Sequence, residues 1–287
     1  MDFPQFCAKI YFVEKHITGV KNLNEAVTFL VKATTDRNKI IRCLNSIYRQ
    51  TVSNFKVVAF CSVEGIIPEL KETYPGIRIV PMKNAKAYVN KLNEEFANLD
   101  TEYCTFVNFD EVVAPNATEL ILSKKADAVI FNIAKRNPKY KFAPRYPVDS
   151  QLNFVDYVKK GMLIWNGAVR SDIIKDNMIK LQDFCPALQL LFMLECYSWA
   201  DNIAIDNNVI AYRDGFKEKE LPNYNQFAQN CKRIGKIIKR FEKKGMLDVK
   251  EQIVTDFVVS QLKDYYNEKS FLRRMKKRYL LRKYMGL

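Results

Sequence analysis

A chain of 287 residues, 48% hydrophobic and 13% aromatic, holds enough apolar material for one large domain, or one domain with an appendage, and is not of the disordered class. Its single histidine, His16, argues against a histidine-built metal centre or a Ser-His-Asp triad and reads as a surface or boundary residue. Residues 231–287 hold 17 Lys/Arg against 6 Asp/Glu, a net +11 of the chain's +14, so a partner for the positive charge belongs to that end.

The first segment, MDFPQFCAKIYFVEKHITG, carries Asp2, Lys9 and Glu14 among its apolar residues. It is expected to be a helical stretch over residues 1–26, neither a secretion signal nor a membrane span. Val27 to Ala33 is a β-rich apolar run and reads as a central strand. Asp36 caps the next helix, which carries Ile40, Ile41, Leu44, Ile47 and Tyr48 at helical spacing. Phe55 to Cys61 reads as a strand, Pro75-Gly76 as a turn, and Ile77 to Val80 as a short strand. A helix over Asn84 to Asn98, a strand over Tyr103 to Asn108, a helix over Asn116 to Ser123 and a strand over Ala128 to Ile133 continue the alternation. Strands alternating with helices predict an α/β fold with a largely parallel sheet.

The rhythm then changes. Arg136 to Pro147 reads as a loop rich in Pro, Lys, Arg and Tyr. A helix around Asn153 to Lys160, a strand-like Leu163 to Val169 and a helix over Ala187 to Trp199 follow. Two short strands are expected near Ile203 to Ile205 and Val209 to Tyr212, and from Asn225 the chain reads as helical and basic. Seven cysteines with no C-x-x-C pair read as buried thiols of a reducing compartment. No stretch reaches the roughly 18 apolar residues of a membrane span, so the chain is expected to be cytoplasmic, peripheral at the inner face of the cell membrane.

Three phrases in order carry a resemblance: VTFLVKA, then RCLNSIYRQTVSNFKVVAF (Arg42 to Phe60), then FVNFDEVVAP (Phe106 to Pro115). Together they resemble glycosyltransferase family 2 of the GT-A fold over residues 27–213. The resemblance implies a nucleotide-diphospho-sugar transferase domain, Rossmann-like, with a mixed, mostly parallel sheet flanked by helices over residues 27–220, and a basic helical extension over 221–287. Open α/β sheets bind ligands beyond the carboxyl ends of their strands, and the family places three acidic stations there. At the first, V-D-D-G-S is replaced by F-C-S-V-E, which leaves Ser62 to meet a nucleotide base. Glu64 nearby either substitutes or is a solvated loop residue. Thr34, in the K-A-T-T that replaces P-x-Y-N, and Asp36 lie where the donor would rest. At the second, D-x-D becomes N-F-D. Asn108 takes the first position, and Asp110 is either a metal or diphosphate contact or a turn residue. Glu111 is the neighbour that would help hold a divalent cation, Mn2+ or Mg2+, at a site weakened by the lost charge.

At the third station the family's general base opens a helix, as in G-E-D-x-x-F. Here A-L-Q-L-L-F puts Gln189 at the base position, and an amide cannot accept the proton. Asp183, six residues earlier, is the substitute, or else a helix cap. Trp165-Asn166 stands where relatives carry W-N-K on the acceptor side. Arg213 closes the region in Y-R, where an arginine meets phosphate bidentately. The resemblance implies inverting transfer from a nucleotide-sugar donor to a surface-glycan or lipid-linked acceptor in bacterial-type polysaccharide biosynthesis. The alternative is a transferase fold that has lost turnover and serves as a glycan- or nucleotide-binding or scaffold partner. The tail, KRIGKIIKRFEKKG and FLRRMKKRYLLRKYMGL, suits an anionic membrane surface, or else packs on its own domain with its charges solvated. Nucleic acid is disfavoured as partner, because no nucleic-acid motif accompanies the charge.

Overall fold

The computed structural model describes residues 27–33, 36–136, 142–144, 154, 167–182, 186–213, 224–253 and 270–285. Alternation along the strands builds two buried faces. From β1 (Val27–Ala33) and β2 (Phe55–Cys61), Leu30, Val58 and Phe60 enter one hydrophobic layer, while Val27, Phe29, Val31, Val57, Ala59 and Cys61 enter the other. Strands buried on both sides read as continuous apolar runs, which is why these two were legible. With β3 (Arg78–Pro81) and β4 (Tyr103–Asn108) they form a parallel half-sheet in the order β3-β2-β1-β4.

Helices α1 (Arg37–Ile47), α2 (Ile67–Thr73) and α4 (Ala117–Ser123) cover one face, and α3 (Ala85–Ala97) covers the other. The longer two start on side-chain caps. Asp36 Oδ1 accepts the Lys39 N–H at 3.1 Å and Asn84 Oδ1 accepts the Ala87 N–H at 2.9 Å.

The second half of the sheet runs β8 (Gly167–Arg170), β6 (Ala128–Arg136), β9 (Ile203–Arg213), β5 (Glu111–Val113), with β7 (Phe142–Pro144) on β6. Strand β8 joins the halves, antiparallel to β4 and to β6. The antiparallel ladders hold three residue pairs each, whereas β1/β2 and β6/β9 are parallel over seven, so the sheet is mixed and mostly parallel. A Cβ on Gly167 would lie 2.1 Å from the Val129 carbonyl oxygen, so the start of β8 beside β6 takes glycine and nothing larger.

Three expectations need correction. The segment expected as a loop from Arg136 begins inside β6, and Phe142–Pro144 pairs with it, because its cross-strand partners supply the pattern that composition hides. The two short strands near residues 203 and 209 are one, β9, whose register shifts between Ile130 and Ile133 of β6. Strand β5 was not expected at all, because three residues carry too little periodicity to read. The stretch 163–166 and all of the expected 153–160 helix except Phe154 lie outside the described residues, as do His16 and residues 1–26.

The remaining helices, α5 (Ser171–Asp176), α6 (Pro186–Trp199), α7 (Tyr224–Lys243) and α8 (Phe271–Met285), stack outward from the α3 face. Ile234, Ile237, Ile238 and Phe241 of α7 and Leu280, Leu281 and Tyr284 of α8 share one hydrophobic cluster with Leu30, Phe106 and Ile130 of the sheet. The described helices of the basic region thus share their core with the sheet. The five described cysteines are buried and in no disulfide.

The Gln50-Thr51 pair quoted for the family resemblance has a structural task. Gln50 Nε2 donates to Ala114 O at 2.7 Å, and its Oε1 accepts from the Thr118 N–H at 2.9 Å and hydroxyl at 3.1 Å. The Thr51 N–H donates to Pro115 O at 2.8 Å. The end of α1 thus clamps the loop that follows β5. Gln50→Ala strands a carbonyl and an amide, and is expected to cost about 1–3 kcal/mol, read as a lower urea midpoint with an unchanged m-value.

Candidate functional site

Register places the first loops on one edge. Ala33 of β1 lies opposite Cys61 of β2, and Lys32 lies opposite Asn108 of β4. At a strand spacing of about 4.8 Å, the exits of β2 and β4 flank that of β1 at roughly 10 Å from each other. Backbone bonds hold the exits, Ser62 N–H to Ala33 O at 3.1 Å and Phe109 N–H to Lys32 O at 3.1 Å. Ser62 and Glu64 are exposed at this edge, Glu64 opening a short 3-10 turn. Asp36 lies at the same edge but is engaged as the α1 cap and sits 3.6 Å from Lys39 Nζ.

The turn after β4 separates two neighbouring carboxylates. Glu111, the first residue of β5, is 1% exposed and stands opposite Arg213, the last residue of β9. Its Oε1 accepts from Arg213 Nε at 2.8 Å and from Nη2, and its Oε2 accepts the Asn108 N–H at 2.9 Å. Burial pushes the Glu111 carboxyl above its ordinary 4.5, against the downward pull of Arg213 and the Asn108 N–H. Glu111 and Arg213, both expected at the donor, are each other's partners in this structure. A fully desolvated acid needs a fixed cation, and the β5/β9 ladder supplies one.

Asp110 is different. It is half-buried, its carboxylate makes no hydrogen bond among the described residues, and its backbone carbonyl accepts from Arg42 Nη2 at 3.4 Å. Asn108 turns its Nδ2 to Glu111 Oε1 at 3.5 Å, which leaves Oδ1 as its remaining acceptor. Cys43, beneath this turn, donates to Asn108 O at 3.5 Å. Its thiol is pushed well above 9.0 by burial, then by the charges of Glu111 and Asp110, so it is a packing group and not a nucleophile.

A concavity lies where the residues after α5 meet α6 and α7. It measures ≈ 370 Å³ and is lined by Lys180, Gln182, Glu195, Lys232, Arg233 and Lys236, with Met178 at its rim. Arg233 Nε donates to Glu195 Oε2 at 2.5 Å and its Nη2 to Lys180 O at 3.0 Å. The lining is cationic in balance.

Of the expected site residues, Asp36, Ser62, Glu64, Asn108, Asp110, Glu111 and Arg213 are described. The first five share the carboxyl edge, and the last two close on each other. Thr34, Trp165, Asn166 and Asp183 lie outside the described residues, and Gln189 is placed on α6 by its backbone alone. The sequence reading missed Ser46, whose hydroxyl accepts the Val113 N–H at 2.9 Å, and the Gln50 clamp. The signal was present in the quoted phrase but was read as a family mark instead of as a hydrogen-bonding device.

Four parallel strands ending in an edge of polar loops, closed by an antiparallel β8 and a β5/β9 pair, make a GT-A-like fold. Among solved structures the chain resembles residues 1–349 of S. aureus TarS in complex with UDP-GlcNAc, at TM-score 0.70 and 14% identity over 90% of this chain and 81% of that one. The UDP complex of the same protein matches at 0.65 and 15%, over 87% and 77%. The mannosyltransferase PcManGT from Pyrobaculum calidifontis, in complex with GDP-Man and Mn2+, matches at 0.52 and 12%, over 91% and 81%. At these identities the likeness establishes the fold. No protein-family model matches the sequence, and a search of curated proteins finds no match.

Proposed function

We propose that this chain is a sugar transferase that takes its donor as a nucleoside diphosphate sugar at the β1/β2/β4 edge. The observation that carries the reading is the pairing at the β4–β5 turn. Glu111 is committed to Arg213, while the adjacent Asp110 stands on the open edge with no hydrogen bond to its carboxylate among the described residues. Neighbours of the same fold hold UDP-GlcNAc and GDP-Man, which supports a diphosphate at this edge.

The residues suit a divalent cation that arrives with the donor better than a resident one. No group of three or more His, Cys, Asp or Glu able to hold a metal occurs among the described residues, whereas Asp110 and Asn108 Oδ1 offer two oxygens, and Mg2+-like ions take one or two carboxylates plus substrate phosphates. When bound, such a cation would supply positive charge to the departing diphosphate. Ser62 or Glu64 meets the base. Transfer inverts: the acceptor hydroxyl oxygen bonds to the anomeric carbon, the bond from that carbon to the diphosphate oxygen breaks, and the diphosphate keeps the electron pair. The hydroxyl proton passes to Asp183, since Gln189 cannot take it. The acceptor is a surface glycan or lipid-linked glycan, with Trp165 and Asn166 as its contacts, at the inner face of the membrane.

The missing acid at position 189 and the engagement of Glu111 favour a second reading, a binding or scaffold protein without turnover. Calorimetry with UDP, GDP and CDP sugars, with and without manganese, tests the first. Binding of one donor strengthened by manganese is the expected result. No binding to any donor leaves the scaffold reading.

A further inference from the structure

Helix α8 has two dissimilar faces. Its inner face, with Lys277, Leu280, Leu281 and Tyr284, packs on α7 and the core cluster. The contact is close: a Cβ on Gly235 of α7 would lie 2.9 Å from the Tyr284 carbonyl oxygen. Helix α8 is thus seated firmly on the domain, and its outer face is fixed in orientation.

That outer face is apolar. Phe271, Leu272, Met275 and Tyr279 are 66%, 79%, 51% and 58% exposed. At about 100° per residue they fall within roughly 100° of one another, a stripe along the helix. Arg278 borders the stripe on one side, Lys276 and Lys283 border it on the other, Arg282 stands at its C-terminal end, and all four are exposed. Helix α8 contains no acidic residue. The exposed side chains form one patch on one helix, which distinguishes them from the scattered apolar residues of an ordinary surface.

We propose that the outer face of α8 docks on an anionic lipid bilayer, with Phe271, Leu272, Met275 and Tyr279 entering the headgroup boundary and Lys276, Arg278, Arg282 and Lys283 meeting the lipid phosphates. The charge pattern selects this occupant. A second copy of the same face would set cationic borders against cationic borders, and a nucleic acid has no use for exposed Leu272 and Met275. Among the described residues no helix is long and apolar enough to cross a membrane, so the contact is interfacial. It also narrows the basic region to one surface, because the apolar side of α7 is spent on the core.

The test is sedimentation of the full chain with phosphatidylcholine vesicles, with and without phosphatidylglycerol, at low and high salt. This readout needs no sugar transfer, so it stands or falls apart from the donor site. Binding is expected with phosphatidylglycerol, weakened by salt. Leu272→Glu with Met275→Glu is expected to reduce it at least about tenfold through lost apolar burial and added repulsion, with an unchanged melting temperature because both side chains face solvent. Arg278→Glu with Arg282→Glu is expected to lower binding to anionic vesicles by a similar factor. No vesicle binding, binding unchanged in both variants, or a self-association or nucleic-acid complex that the apolar variant abolishes while vesicle binding persists would each overturn the proposal.

Discussion

Arg213→Met lowers stability by about 3–5 kcal/mol at neutral pH, because it leaves the Glu111 carboxylate buried with no cation. The size of the loss depends on pH in a direction fixed by the geometry. In the folded protein the Glu111 carboxyl lies above 4.5, chiefly through desolvation, while in the unfolded chain it titrates near that ordinary value. The folded state therefore holds the extra proton between the two values. The stability this confers is complete below about pH 4.5 and is lost as pH rises through the folded value. Arg213 restrains that value, so its removal raises the value further and widens the window. Urea denaturation at pH 5 and pH 8 is expected to show a larger deficit for the variant at pH 8. Adding Glu111→Gln to Arg213→Met restores part of the stability at pH 8 and flattens the dependence, because an amide has no charge to desolvate. An equal deficit at both pH values would mean that the pair acts by packing and not by charge.

On the proposed donor site, Asp110→Ala is expected to abolish most of the metal-dependent affinity for the donor and to leave the fold intact. One carboxylate about 4 Å from a cation contributes roughly 4 kcal/mol per unit charge on the ion at an effective dielectric near 20. Solvent at this half-buried position screens much of that, leaving about 3 kcal/mol, a loss of about 100-fold. Without metal the sign changes: Asp110 and the diphosphate repel, so the alanine variant binds the bare donor as well as the native protein or slightly better. Calorimetry of both proteins with and without manganese reads the two arms together. Equal losses in both arms would assign Asp110 to a direct or structural contact, and no loss in either would remove it from the donor site. Melting temperature is expected to hold, since the Asp110 carboxylate makes no hydrogen bond to a described residue.

Much of the fold was legible because the signals are local. Val27–Ala33 and Phe55–Cys61 are apolar on both faces, Asp36 and Asn84 cap helices three residues on, and the alternation from residue 27 to 133 fixes a parallel architecture. The shared edge of the candidate residues was legible for a related reason. The ends of β1, β2 and β4 are strand exits that can be counted along the chain, so Ser62, Asn108 and Asp110 were assigned to one edge before any contact was known.

The fate of Glu111 was not legible. It is paired with a residue 102 positions away, through a three-residue strand with no periodicity of its own, and a carboxylate beside Asp110 reads the same whether it faces solvent or a buried guanidinium. The outer face of α8 shows the same limit: its sequence alternates basic and apolar residues on every side, and the packing of Leu280, Leu281 and Tyr284 on the core decides which apolar residues remain outside. The sequence by itself determined most of the elements between residues 27 and 133, their parallel character and the edge where the exits of β1, β2 and β4 gather, because periodicity and capping act over a few residues. The tertiary structure alone decided which charges stay available and which apolar side chains stay exposed, because both depend on partners that only the folded chain brings together.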